Sequence, residues 1–208
     1  MQFNDEVSKI VIRNIDLLED APNIIREVEK KIFKAINEKF ETFFSNLDGW
    51  NQDGVYTYYS DATDAQTTFS AVSWPLDDED YAVYYEFCES DDDEFDPYHL
   101  SILTGTRTIS HYGIFFSIDL DYFGVKKSKW KAFLREQYQA RPQLAELGVS
   151  FEGQKLCIPI VLDATLMAEE YPDFDTCLEP IENALAILMK AHPYIDEIVQ
   201  ETRKINVA

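Results

Sequence analysis

Between Lys39 and Arg107 the chain has no lysine or arginine, although the same 67 residues, Phe40 to Thr106, carry 16 Asp and Glu. A groove for nucleic-acid phosphates needs clustered cations, so this stretch is excluded as one. Cysteine is scarce as well: Cys88, Cys157 and Cys177 form no CxxC pair, which excludes a zinc-ribbon or thioredoxin-type motif and fits reduced thiols. The three histidines, His99, His111 and His192, lack an i+4 partner and an HExxH frame, and read as surface or helix-end residues rather than ligands. Phosphate loops of the GxxxxGK type, dinucleotide fingerprints and a GxSxG elbow are also missing. No apolar run approaches the roughly 18 residues needed to span a bilayer. The opening Met-Gln-Phe-Asn-Asp-Glu has neither the basic nor the apolar region of a secretory signal. Together these absences predict a cytoplasmic protein that is not an enzyme, with no cofactor, no metal, no membrane contact and no direct nucleic-acid contact.

What is present is the composition of a folded protein. The 208 residues are 46% hydrophobic and 14% aromatic with only 7 Gly and 8 Pro, unlike a disordered acidic tail. The length suits one domain, residues 1–208, divided into a helical segment 1–47, an acidic antiparallel sheet 54–122, and a helix, hairpin and C-terminal helix over 126–208. The net charge is −21, and 16 of those charges belong to the cation-free stretch, so the acidity is regional.

Periodicity supplies the elements. Val7, Ile10, Val11, Ile15 and Leu18 predict a first helix over Asn4 to Leu18. Asp20 with Pro22 opens a second, striped by Ile24, Ile25, Val28, Ile32, Ile36, Phe40 and Phe43 and ending near Leu47. Strand-like runs follow at Val55 to Tyr59, Thr67 to Trp74, Tyr81 to Cys88, Leu100 to Thr104 and Tyr112 to Leu120. In the last, Ile114, Phe116, Ile118 and Leu120 share one face, and Phe115, Ser117, Asp119 and Asp121 the other. A helix with Ser128 as N-cap spans Lys127 to Tyr138, and Pro142 to Leu147 gives a further turn. Val149 to Phe151 and Leu156 to Leu162 pair as a hairpin around Gly153. A helical stripe from Leu178 to Val199 closes the chain, broken by Pro193. The fold class is α+β: an antiparallel meander of about five strands plus a hairpin, covered by N-terminal helices and a long broken C-terminal helix.

The densest carboxylates define the predicted partner-binding surface: Asp77, Asp78, Glu79 and Asp80 before one strand, and Asp91, Asp92, Asp93, Glu94 and Asp96 after it, with Tyr81, Phe95 and Tyr98 as aromatic anchors. Eleven carboxylates between Asp77 and Asp96 repel one another, which costs stability unless a partner relieves it. The second run is no EF-hand, since Phe95 and Pro97 stand where ligands and a turn glycine belong. The reading that follows is an acidic protein-binding module, of inhibitor, immunity or DNA-mimic type, covering a basic site on a nucleic-acid-binding protein or nuclease. Its make-up resembles, without a shared motif, small accessory and inhibitor proteins of bacteria and their phages. Two alternatives stand beside it. One is a divalent-metal hydrolase or nuclease relative using paired carboxylates such as Asp119 and Asp121. The other is a structural subunit, in which a basic helix (Lys126, Lys127, Lys129, Trp130, Lys131) makes a secondary contact with another copy's acidic face.

Overall fold

Apolar side chains at alternate positions through the middle of the chain need a common cover, and helices from both ends supply it. The structure is a computed structural model describing residues 5–45, 47–52, 67–77, 80–90, 99–106, 110–202 and 205. Helix α1 (Asp5–Arg13) is followed after Asn14 by α2 (Ile15–Phe44). The boundary expected at Asp20 falls at Asn14 instead. The Asn14 side-chain amide donates to the Ile10 carbonyl at 2.8 Å, and its backbone N–H reaches Ile10 and Val11. Pro22 lies inside α2 rather than opening it. Its missing N–H orphans the carbonyl of Leu18, a residue exposed enough for water to take that place. Only the second half of the α2 stripe is buried, through Ile32, Phe33, Ile36, Phe40 and Phe44. From Asp5 to Asp20 every described side chain is exposed, Ile12 by 73% and Leu17 by 60%, so this arm carries apolar surface outside the core.

The strands are β1 (Trp50–Gln52), β2 (Thr67–Ala71), β3 (Leu76–Asp77), β4 (Asp80–Tyr81) and β5 (Val83–Glu89). After α3 (His99–Leu103) come β6 (Tyr112–Ile118), α4 (Lys127–Ala140), α5 (Pro142–Glu146), β7 (Ser150–Glu152), β8 (Lys155–Ile160), α6 (Ala164–Glu170) and α7 (Glu179–Thr202). Six strands form one antiparallel sheet in the order β1-β2-β5-β6-β8-β7, and β3 pairs with β4 as a separate hairpin. The protein is therefore α+β, with a meander that the β7–β8 hairpin extends. The strand expected over Val55 to Tyr59 lies outside the described residues.

Three expectations are corrected. Leu100 to Thr104 does not form a strand: α3 stands there, because the buried Glu29 carboxylate of α2 accepts the Leu100 N–H at 2.9 Å and caps its first turn. Pro193 does not break the closing helix, since α7 is held on both sides of it by buried Leu188, Ala191, Ile195 and Ile198. Packing of that face outweighs one lost hydrogen bond. Ser128 is not the N-cap of α4; Lys126 is, with no side-chain bond. The short α6 was not anticipated, although Asp163 caps it through the N–H groups of Thr165 and Leu166.

One face of the sheet presents Phe69, Tyr85, Phe87, Tyr112, Ile114, Phe116, Leu156, Ile158 and Ile160 to α2 and α7 in a single hydrophobic cluster. The aromatic rings interlock, with Phe44 and Phe69 centroids 4.6 Å apart and Phe87 and Tyr112 at 5.2 Å. His192 belongs to this cluster rather than to the surface. Its ring sits against Trp50 and Trp74, its Nδ1 is 3.0 Å from the Tyr85 hydroxyl, and burial lowers its pKa. His99 is likewise packed, edge-on to Phe33 and 2.7 Å from the Tyr112 hydroxyl.

Candidate functional site

Alternation puts the other half of the central strands on a polar face. Tyr84, Glu86 and Cys88 of β5, Gly113, Phe115 and Ser117 of β6, and Lys155 and Cys157 of β8 all point away from the helical cover. Register then decides which of them meet. Glu86 stands opposite Phe115, which stands opposite Cys157, which in turn faces Ser150. The buried Glu86 carboxylate accepts the Ser117 hydroxyl at 2.6 Å and pairs with the Lys155 ammonium at 2.9 Å. A carboxylate removed from water to this extent is tolerable because both interactions are made. The Lys155 ammonium also lies 5.6 Å from the centre of the Phe115 ring. Burial, and then the charge of Glu86, raises the pKa of Tyr84.

Beside this pair His111, Glu152 and Cys157 converge. Their ligating atoms all lie within 4.8 Å of one another. His111 Nε2 is 3.2 Å from a Glu152 oxygen and 3.6 Å from Cys157 Sγ, and the Ser150 hydroxyl donates to the same Glu152 oxygen at 2.8 Å. Burial first, then the neighbouring Glu152, pushes the Cys157 thiol far up, so unliganded it is protonated. The approach of the sulfur depends on Gly113: a Cβ there would lie 2.6 Å from Cys157 Sγ and 2.8 Å from the Ile158 carbonyl oxygen. A polar cleft of about 860 Å³ opens next to the cluster, lined by Phe115, Lys127, Lys131, Glu152, Gln154 and Lys155 among others. Elsewhere an apolar groove of about 560 Å³ runs between α2, α3 and α6, past Ile24, Ile25, Val28, Leu100 and Met167.

Of the residues expected to bind a partner, Asp78, Glu79, Asp91, Asp92, Asp93, Glu94, Phe95, Asp96 and Tyr98 lie outside the described residues. The backbones of Asp77 and Asp80 pair across the β3–β4 hairpin, and Tyr81 is half-buried there opposite Leu76. That hairpin precedes β5 and the second run follows it, so seven residues of strand, about 23 Å, separate the ends from which the two runs depart. In the basic helix, Lys126, Lys127, Lys129 and Lys131 are exposed while Trp130 is buried, its indole N–H donating to the Gln154 carbonyl at 2.8 Å. Lys129 donates to the Ile205 carbonyl at 2.7 Å.

Asp119 and Asp121 do not share a strand face, because β6 ends at Ile118. Asp119 turns its carboxylate back onto the N–H groups of Asp121 and Tyr122, at 2.8 and 3.1 Å, and serves the turn. His111, expected at the surface, is about a third exposed and lies within 4.8 Å of two further donor groups. Sequence reasoning missed the cluster because only strand register unites residue 111 with a hairpin that begins some forty residues later. The one local hint was Glu152 and Cys157 straddling a glycine turn.

Fold and site together define an α+β protein whose antiparallel sheet is helix-covered on one face and carries the Glu86–Lys155 ion pair and the His111–Glu152–Cys157 cluster on the other. No known protein family, curated protein or solved structure matches the chain. Among the described residues no helix is long and apolar enough to cross a membrane.

Proposed function

We propose that the chain is an acidic protein-binding module, an inhibitor or nucleic-acid mimic acting in the cytoplasm by covering a basic site on a partner protein. The observation that carries this reading is the run of 67 residues with 16 carboxylates and no lysine or arginine. Charge of one sign over so long a stretch is not neutralised along the chain. Among the described ion pairs, its carboxylates meet only Lys155, through Glu86, and His99, through Glu89 at 3.8 Å. A field of this kind steers a cationic partner and repels phosphates and anionic lipid.

The test is affinity capture at two salt concentrations, about 50 mM and about 500 mM, across which exposed charge pairs are progressively screened. A basic nucleic-acid-handling protein retained at low salt, released at high salt, and lost with the Asp91→Asn/Asp92→Asn/Asp93→Asn variant supports the reading. Retention of nothing at either salt, or retention that the variant leaves unchanged, overturns it. Self-assembly is a second reading, supported by Lys126, Lys127 and Lys131, which are exposed and make no ion pair among the described residues. Sedimentation that shows an oligomer dissociating with salt supports it; a monomer throughout removes it.

A further inference from the structure

We propose that His111, Glu152 and Cys157 form a Zn²⁺ site. The donor set comes first. An imidazole nitrogen, a carboxylate oxygen and a thiolate sulfur are the three protein donors that zinc takes, whereas Ca²⁺ and Mg²⁺ require shells of oxygen. The spacing comes second. With Zn–N and Zn–O bonds of about 2.1 Å and a Zn–S bond of about 2.3 Å, a tetrahedron has an N···O edge of about 3.4 Å and an N···S edge of about 3.6 Å. The corresponding separations in the protein are 3.2 Å, from His111 Nε2 to Glu152, and 3.6 Å, from His111 Nε2 to Cys157 Sγ. These two edges of a zinc tetrahedron are therefore set by the β6–β8 and β7–β8 registers together, and the third, from Glu152 to Cys157, lies within 4.8 Å.

Two neighbours hold the donors in place. Gly113 leaves the space through which the Cys157 sulfur reaches His111, space that a Cβ would fill. Ser150 donates to the Glu152 carboxylate and fixes its direction, the kind of outer contact that supports ligating carboxylates. The histidine and glutamate are about a third exposed while the sulfur is buried, so an ion enters from the solvent side. Glu152 also lines the polar cleft, and a water or small anion from that side supplies the fourth ligand. The binding step balances simply. The Cys157 thiol releases one proton to solvent as its sulfur binds, while neutral imidazole and the carboxylate each contribute a lone pair.

The test uses the full chain stripped with a chelator and titrated with Zn²⁺, and separately with Co²⁺, in excess Mg²⁺ that occupies the surface carboxylates. One equivalent of Zn²⁺ is expected, together with a thiolate-to-cobalt charge-transfer band in the near ultraviolet. Glu152→Gln, nearly isosteric and about a third exposed, and Cys157→Ser are each expected to weaken Zn²⁺ by about 100-fold or more. Ser150→Ala, which removes only an outer contact, is expected to weaken it by about 10-fold. Binding that stays at one equivalent in the Glu152 and Cys157 variants, heat spread over many weak sites, or a Co²⁺ spectrum without the sulfur band overturns the site. If a variant fails to fold, absence of the sulfur band from the Co²⁺ spectrum of the unaltered chain still overturns the site.

Discussion

Two faces of one sheet obey different rules in this protein. On the first, Phe87, Ile114, Phe116, Leu156 and Ile158 are buried under helices, and any one of them needs only apolar neighbours of suitable shape. On the second, made from the intervening residues of the same strands, Glu86, Ser117 and Cys157 are just as thoroughly buried, but each needs a particular partner at a particular distance. Burial is therefore not what separates the faces. The first is specified by alternation along each strand and tolerates many sequences; the second is specified across strands and tolerates few. A face of the second kind is a costly way to stabilise a sheet, because unpaired buried charge is penalised more heavily than a small apolar void. That asymmetry directs attention to it as the place for chemistry.

Breaking each face in turn sharpens the contrast. Phe87→Ala on the apolar face is expected to cost the most, about 3–5 kcal/mol in urea unfolding, because a fully buried ring at the centre of the cluster is removed. On the polar face, Glu86→Ala removes the carboxylate that pairs with Lys155 and is expected to cost about 2–3 kcal/mol, below the cost for a fully buried pair because the lysine is 27% exposed. The double variant Glu86→Leu/Lys155→Met should recover most of that loss, which an apolar-face variant cannot do. If the double variant is no more stable than the single one, the pair is not what makes this face demanding. Gly113→Ala joins the two rules, since its Cβ meets both a side chain and a backbone carbonyl, and is expected to cost about 1–3 kcal/mol. Adding Cys157→Ala removes the 2.6 Å contact but leaves the one at 2.8 Å with the Ile158 oxygen, so only partial recovery is expected.

The smallest effect lies off the sheet and supplies a baseline. The Glu170 carboxylate accepts the N–H groups of Asp175, Thr176 and Cys177, and these bonds lower its pKa from an ordinary 4.5 to about 2. A depressed carboxylate contributes stability that is present above its unfolded pKa and lost as pH falls through the folded one. Glu170→Gln should therefore flatten the stability profile between about pH 4.5 and about pH 2 and leave its slope near neutrality unchanged. An unchanged acid limb in that variant would show that the bonds to the 175–177 turn do not persist in solution.

The apolar rule was legible in advance and the pairwise rule was not. In β6, the split of Ile114 and Phe116 from Phe115 and Ser117 follows from period two alone. Leu100 to Thr104 misled because a five-residue apolar run fits strand or helix equally well, and the choice was made by Glu29, a residue 71 positions earlier. Pro22 and Pro193 carry a strong local preference that exposure in one case and packing in the other overrides. For the polar face the local signal is confined to Glu152 and Cys157 on either side of a glycine turn. That Glu86 meets Lys155, or that His111 meets Cys157, depends on β8 lying beside β6 rather than β7 doing so. The regional acidity, by contrast, needs no fold to be seen.

The apolar face gains its cover from elements at opposite ends of the described chain, α2 early and α7 late, and α7 alone contributes nine buried residues, from Ile181 to Thr202. During synthesis the last strand of the sheet, β8, is complete about 40 residues before the final turns of α7, an interval of about 2–8 s at usual rates of translation. Through that interval the aromatic surface of Phe69, Phe87 and Phe116 has only half its roof. The nascent chain is then most open to chaperones and to clumping, and the charge repulsion of its acidic middle is the property best suited to keep neighbouring chains on a polysome apart.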